Sequence, residues 1–286
     1  MSGGAAGGPP ALDGSAAQSG SAGLGRSAAH GRVAALGRVA AFAPQAAVVF
    51  GSGLAALPRD AVIREELAYE ELGWPRTAVP GHANRLLLVE APAADGARLR
   101  LALACGRPHL YEGWHEEELG RSVRDLGAAG ASRVVLTNST GSLRPEVEPG
   151  AVVVCRALVD IQTAPAGEDP PLLAVCDRRE AEGAAAALAP HGRVGVYVAV
   201  AGPQFETPAE VEWLRRHGDV VGMSAAPEVR AAHAAGAACC LLALVANRAS
   251  AVGSHEEVLS GGASLADLLA GRLTATIAAR WPELRA

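Results

Sequence analysis

Arg107 and His109 stand two positions apart in the string Gly106-Arg107-Pro108-His109-Leu110-Tyr111-Glu112-Gly113. Side chains two apart on an extended segment point to the same side. A guanidinium and an imidazole on one side form an oxyanion clamp. A surface salt-bridge loop is the competing reading, but Tyr111 and Glu112 follow at once in a chain with only three tyrosines. Ser52 lies in Gly51-Ser52-Gly53, directly after the apolar run 46–50. Glycines on both sides let backbone N–H groups and the hydroxyl approach an anion closely. A plain turn gives the same string, and the later glycines of a dinucleotide fingerprint are missing. His82 sits on the turn Val79-Pro80-Gly81, where a lone histidine is ordinarily just solvated.

A second group follows between residues 195 and 247. Phe205 and Glu206 lie between an apolar run at 197–200 and a helix start at Thr207-Pro208-Ala209-Glu210. That start combines a hydroxyl cap, Pro at the first helical position and Glu at the third. Residues 220–223 read as a strand, with Met223 at its end and Ser224 just beyond, before the helix that Pro227 opens. Asn247 ends a strand over 239–246. Ser52, His82, Arg107, His109 and Ser224 make an anion site. Phe205, Glu206, Met223 and Asn247 suit a flat, hydrogen-bonding, partly apolar group. The plainer alternative buries Phe205 and Met223 and leaves Glu206 to stabilise a helix N-terminus.

These groups fall at strand ends, where α/β sheets bind ligands. A helix is expected over 27–42 and strands over 46–50 and 98–104. A helix follows over 116–130, then a strand over 132–136 ending in Thr137-Asn138-Ser139-Thr140-Gly141-Ser142-Leu143. Residues 151–155 read as a strand, 160–177 as a proline-broken loop, 178–189 and 227–236 as helices, and 262–280 as a final amphipathic helix. Residues 1–25 are Gly, Ala, Ser and Pro with almost no bulk, the composition of a disordered tail. No linker interrupts the rest, so 26–286 is expected to be one domain.

Half of the 286 residues are hydrophobic and 19% are charged, enough for a large α/β core. The formal charge of −5 argues against a nucleic-acid partner. All 25 basic residues are Arg. Phosphate-loop NTPases, Schiff-base enzymes and pyridoxal-phosphate enzymes each need a Lys and are excluded. The five cysteines contain no C-x-x-C pair, so no zinc site is expected. No apolar run reaches the roughly 18 residues of a membrane span, and the start lacks a signal-peptide pattern. The expectation is a cytoplasmic protein with no membrane or nucleic-acid partner. With no metal cluster and no nucleophile elbow, the natural chemistry is attack by a bound anion.

The motifs GSGL, VPGH, GRxHxYEG, TNxxGxL, AGPxFETxAE, VGMSxxPE and HEEVL occur here in that order. The chain thereby resembles the trimeric purine nucleoside phosphorylases of the second nucleoside phosphorylase family, over roughly residues 27–280. The resemblance implies a single α/β domain around a mixed, partly barrel-like sheet flanked by helices. It implies reversible phosphorolysis of 6-oxopurine (deoxy)ribonucleosides, such as inosine and guanosine, to free base and (deoxy)ribose 1-phosphate. Ser52, His82, Arg107, His109, Ser224 and the backbone at Ser139 would hold phosphate, the co-substrate, with no cofactor. Tyr111, Val221 and Met223 would line the nucleoside, with His255 at the 5′-hydroxyl. Phe205 would face the base, Glu206 would bind its N1–H edge, and Asn247 would bind O6 and N7. Catalysis would fall to Asn247, Glu206, His109 and His255, in a homotrimer.

Three departures stand out. Ser139-Thr140 replaces the family's Ala-Ala, and Ser142 replaces its second Gly, which brings the segment closer to methylthioadenosine phosphorylases. The loop 160–177 is shorter than usual and lacks the Phe that reaches a neighbouring subunit. Ala246 stands where the family often has Thr. The competing functions are therefore a methylthioadenosine phosphorylase and a non-catalytic purine-nucleoside-binding homologue. Asn247 and Glu206 argue against the first, and the complete set of anion ligands argues against the second.

Overall fold

Apolar β-branched runs alternate with Ala-rich amphipathic stretches along the chain. In the computed structural model they form ten strands and eight α-helices among the described residues, 19–93, 96–163, 169–249 and 255–281. The side chains of 19–28 and 255–265 fall outside that description. The order begins α1 (Ser19–Phe42), β1 (Ala46–Val49), β2 (Val62–Ala68), α2 (Tyr69–Leu72), β3 (Arg85–Pro92) and β4 (Arg98–Cys105). It continues with α3 (Glu116–Leu119), α4 (Arg121–Ala128), β5 (Arg133–Ser142), β6 (Val152–Asp160), β7 (Leu172–Ala174), α5 (Arg178–Ala187) and β8 (Gly192–Ala199). Then come α6 (Pro208–Leu214), β9 (Val220–Gly222), α7 (Ala226–Ala234), β10 (Ala238–Arg248) and α8 (His255–Arg280). None of the helices is long and apolar enough to cross a membrane among the described residues.

The strands pair in the order β10-β6-β8-β9-β5-β1-β4-β3-β2, with β7 on β6 beyond the end of its pairing with β10. A further parallel pairing of β10 with β5 closes five strands into a ring. The expected single mixed α/β sheet with a barrel-like part is what the chain builds. Burial on both faces follows from helices on both sides. α1, α4 and α7 cover one face over Val39, Val123 and Val229, and α5 and α8 cover the other over Ala184, Leu273 and Ile277. A smaller cluster, Val198, Val211, Leu214 and Val221, seats α6 at the ring's end.

Several boundaries differ from the sequence expectation, for physical reasons. β5 continues through the polar segment to Ser142, because β10 and β9 supply partners on both its edges there. The polar side chains fit the strand by local bonds: the Thr140 hydroxyl donates to the Leu244 carbonyl at 3.2 Å and the Ser142 hydroxyl to the Arg144 carbonyl at 2.8 Å. β10 likewise runs past Asn247, with Ala246 as an extra residue that shifts the register. The helix expected over 116–130 divides at Gly120. A Cβ there would sit 2.8 Å from the Ala231 Cβ, so α7 crosses close. α1 also starts earlier than the expected residue 27, at Ser19. Packing of Ala35 and Val39 anchors that helix, and each added turn avoids the nucleation cost. Residues 1–18 lie outside the described residues. β2 and β7 were not foreseen.

Candidate active site

One cleft opens where β1, β4, β5, β9 and β10 end. Ser52, Arg107, His109, Ser139 and Ser224 line one part of it. Tyr111, Phe205, Glu206, Val221, Met223 and Asn247 line the rest, with Asn138, Thr140 and Gly141 on the wall. The sequence had marked eleven of these positions from separate strand ends, and the fold brings them together. Two others differ. His82 is half-buried and not on the cleft wall; it stands behind Ser52. His255 opens α8, and its side chain lies outside the described residues.

The anion end is built from the first β-strand ends. The Arg107 backbone N–H donates to His82 Nδ1 at 3.3 Å. A neutral His82 therefore carries its proton on Nε2 and donates it to Ser52 Oγ, 2.9 Å away. Ser52 keeps its own hydroxyl proton for an anion. The Ser139 hydroxyl donates to the Ser52 carbonyl at 3.2 Å and ties the turn to β5. Gly51 is required here: a Cβ would lie 2.8 Å from Asn138 Cα and from the Thr137 carbonyl oxygen.

His109 is held by Glu112. One carboxylate oxygen accepts from the His109 backbone N–H at 2.9 Å and faces Nδ1 at 3.2 Å. The other accepts from the Thr77 hydroxyl and the Ala78 N–H. Burial pushes the Glu112 carboxyl up, but these bonds outweigh it and hold it below the usual carboxylate range. With Nδ1–H directed at Glu112, Nε2 is the ring nitrogen left for another partner. The Tyr111 ring stacks on His109 at 4.7 Å and 12°. Burial, and then the Glu112 charge, push its hydroxyl up to about 12.

Arg107 is buried at 1% exposure. Its Nε donates to Glu228 at 2.6 Å, Nη1 to the Thr137 carbonyl at 2.5 Å and Nη2 to the Val49 carbonyl at 3.4 Å. Ser224 is buried beside it. Its backbone N–H donates to the Tyr197 hydroxyl and its Oγ accepts from Asn138 Nδ2, each at 3.5 Å. Gly222 leaves room for that tyrosine, whose hydroxyl would lie 2.4 Å from a Cβ.

The apolar end depends on two backbone features. Gly141 of β5 is in register with Val221 of β9 and, across the bulge at Ala246, with Asn247 of β10. Bulges re-aim side chains at strand ends, and this one brings Asn247 to the cleft rim. The second feature is Gly202 at φ +69°. A Cβ there would meet Met223 Sδ at 2.4 Å and the Tyr111 ring at 3.0 Å. Glu206 follows, half-buried. Burial raises its carboxyl above the ordinary value, its own backbone N–H opposes this and the Glu210 charge adds to it. Asn138 Oδ1, buried on the wall, accepts no hydrogen bond among the described residues.

A model of the phosphorylase superfamily matches residues 45–278. The chain belongs to the phosphorylase superfamily. The purine nucleoside phosphorylase of Mycobacterium tuberculosis is 37% identical over 249 residues, 82% of this chain and 89% of that protein. The solved structure of isoform 2 of purine nucleoside phosphorylase from Schistosoma mansoni, in complex with cytosine and ribose-1-phosphate, matches with a TM-score of 0.71 at 26% identity. It covers 88% of this chain and 95% of that one. A Schistosoma mansoni purine nucleoside phosphorylase in complex with inosine matches at 0.68 and 26%, over 86% and 96%.

Within the superfamily frame, the residues that sequence reasoning missed are supporting ones. Glu228 closes the VGMSxxPE string, yet a carboxylate beside an anion site has the wrong sign to attract notice. Tyr197 sits inside a strand and reads as core. Asn138 stood out only as one of three asparagines. The hydroxyls of Ser139, Thr140 and Ser142, which depart from the family pattern, all bond to backbone carbonyls.

Proposed function

We propose that this chain catalyses reversible phosphorolysis of 6-oxopurine (deoxy)ribonucleosides. The observation that carries the reading is one cleft joining an anion end (Ser52, Arg107, His109, Ser224) to a base end (Phe205, Glu206, Asn247). Phosphate is the co-substrate and no cofactor takes part. A phosphate oxygen donates an electron pair to C1′ while the C1′–N9 pair leaves with the purine, which takes up at N7, by way of solvent, the proton that hydrogen phosphate gives up. Such cleavage passes through an oxocarbenium-like state, as in glycoside hydrolysis. Phosphate beneath C1′ supplies proximity and negative charge beside the forming cation. Asn247 bonds to O6 and N7 and favours the charge that builds on the leaving purine. Glu206 accepts from N1–H. Tyr111, Val221 and Met223 pack the sugar, and His255 bonds its 5′-hydroxyl. His82 acts through Ser52. The working unit is a homotrimer in the cytoplasm.

Product analysis with inosine, guanosine, adenosine and methylthioadenosine, each with and without phosphate, tests the reading. Free hypoxanthine and ribose 1-phosphate should form from inosine only when phosphate is present. Equal rates without phosphate would reject phosphorolysis in favour of hydrolysis.

A further inference from the structure

The Arg107 side chain is the only guanidinium on the cleft wall among the described residues, and its charge is already answered. Glu228 lies 2.6 Å from Arg107 Nε, and both side chains are buried, at 5% and 1% exposure. A guanidinium has five N–H donors. Three are engaged, by Glu228, Thr137 and Val49. That leaves one N–H on Nη1 and one on Nη2, and Arg107 borders the cleft beside Ser52 and Ser224. The same turn delivers both partners. Ala225, between Ser224 and α7, is a non-glycine residue at φ +76°. That strained conformation sets Ser224 on the cleft and Glu228, in the first turn of α7, behind the arginine.

We propose that Glu228 is a positioning residue for the anion end: it grips Arg107 by Nε, leaves the Nη edge for phosphate, and cancels the buried charge so that phosphate and sugar phosphate are both released. A site with an unanswered buried cation would hold either anion too tightly for a reversible reaction. Neutral Arg–Glu plus hydrogen bonds holds them moderately. The inference rests on phosphate being the anion, a point that titration of phosphate into the unaltered protein tests separately.

The experiment compares the unaltered protein with Glu228→Gln, which keeps shape and acceptor but removes the charge. Isothermal calorimetry should show phosphate binding about tenfold tighter in the variant, because the arginine has lost its buried counter-ion. The kcat should fall while the nucleoside KM stays within about twofold. Added phosphate should raise the variant's Tm more than that of the unaltered protein. Unchanged or weaker phosphate binding would overturn the proposal. If Glu228→Gln does not fold, Glu228→Asp carries the test, since it keeps the charge but withdraws it from Nε. Its phosphate KM should rise about fivefold with the nucleoside KM held, and a parallel rise in both, or no rise, would overturn the proposal.

Discussion

In the proposed reaction, Asn247 and Glu206 divide the reading of a base edge between two chemistries. A carboxylate only accepts, so Glu206 needs a donor at N1, which 6-oxopurines have and adenine lacks. In the same proposal the Asn247 amide would donate to O6 and accept from N7–H. An adenine leaves both unmatched, and a buried unpaired polar group costs about 1–3 kcal/mol. Two mismatches give a bias against adenosine on the order of a hundredfold or more. Asn247→Asp, which accepts from a 6-amino group, should raise the adenosine-to-inosine ratio of kcat/KM by about tenfold; an unchanged ratio would refute the role. The raised carboxyl of Glu206 gives a second expectation, this time in pH. Its folded value lies above the ordinary one, so the accepting anion is lost on acidification sooner than an exposed glutamate would lose it, above about pH 4.3. The inosine KM should climb as pH falls through that raised value, and Glu206→Gln should flatten the climb. These residues were legible in the sequence because their types are unusual at strand ends. Glu228 was not, because its meaning comes only from the arginine that folding brings to it over a separation of 121 residues.

The element that carries Phe205 and Glu206 to the cleft is the start of α6. Thr207 accepts from the Glu210 N–H at 3.3 Å, and Glu210 accepts from the Thr207 N–H at 2.7 Å. Pro208 presets the first turn. Thr207→Ala should cost about 1 kcal/mol of stability in urea denaturation. It should also raise the nucleoside KM severalfold while leaving the phosphate KM alone; equal effects on both would mean that the cap does not govern the base end. This cap was readable because capping is local chemistry between neighbours. The length of β5 was not. Its residues 137–142 favour turns by type, and only the edges of β9 and β10 hold them extended. The bulge at Ala246 was hidden for the same reason, since a register shift is a relation between two strands.

At the scale of the molecule, large apolar side chains remain on the surface: Leu172 at 67% exposure, Trp213 at 44%, and Phe205 and Val194 at 36% each. Phe205 belongs to the cleft, so one of these exposed apolar side chains lies at the site itself, a feature that suits the proposed trimer. Light scattering at micromolar concentration should give three times the chain mass; a fully active monomer would reject the trimer. The closed ring has another consequence, for how the protein comes to exist. β10 pairs with β5 in parallel, Ala238 against Arg133, roughly a hundred residues earlier. Such a long loop closes slowly, because the chain surrenders entropy before any contact repays it. Until β10 arrives, β5 has an open edge and Asn247 has no place beside Gly141. A ribosome that has released only the first two thirds of the chain therefore holds every group of the β1 and β4 turns and no working enzyme. Recognition of the base should appear in refolding as the slowest phase, in step with protection of the β10 amides from hydrogen exchange.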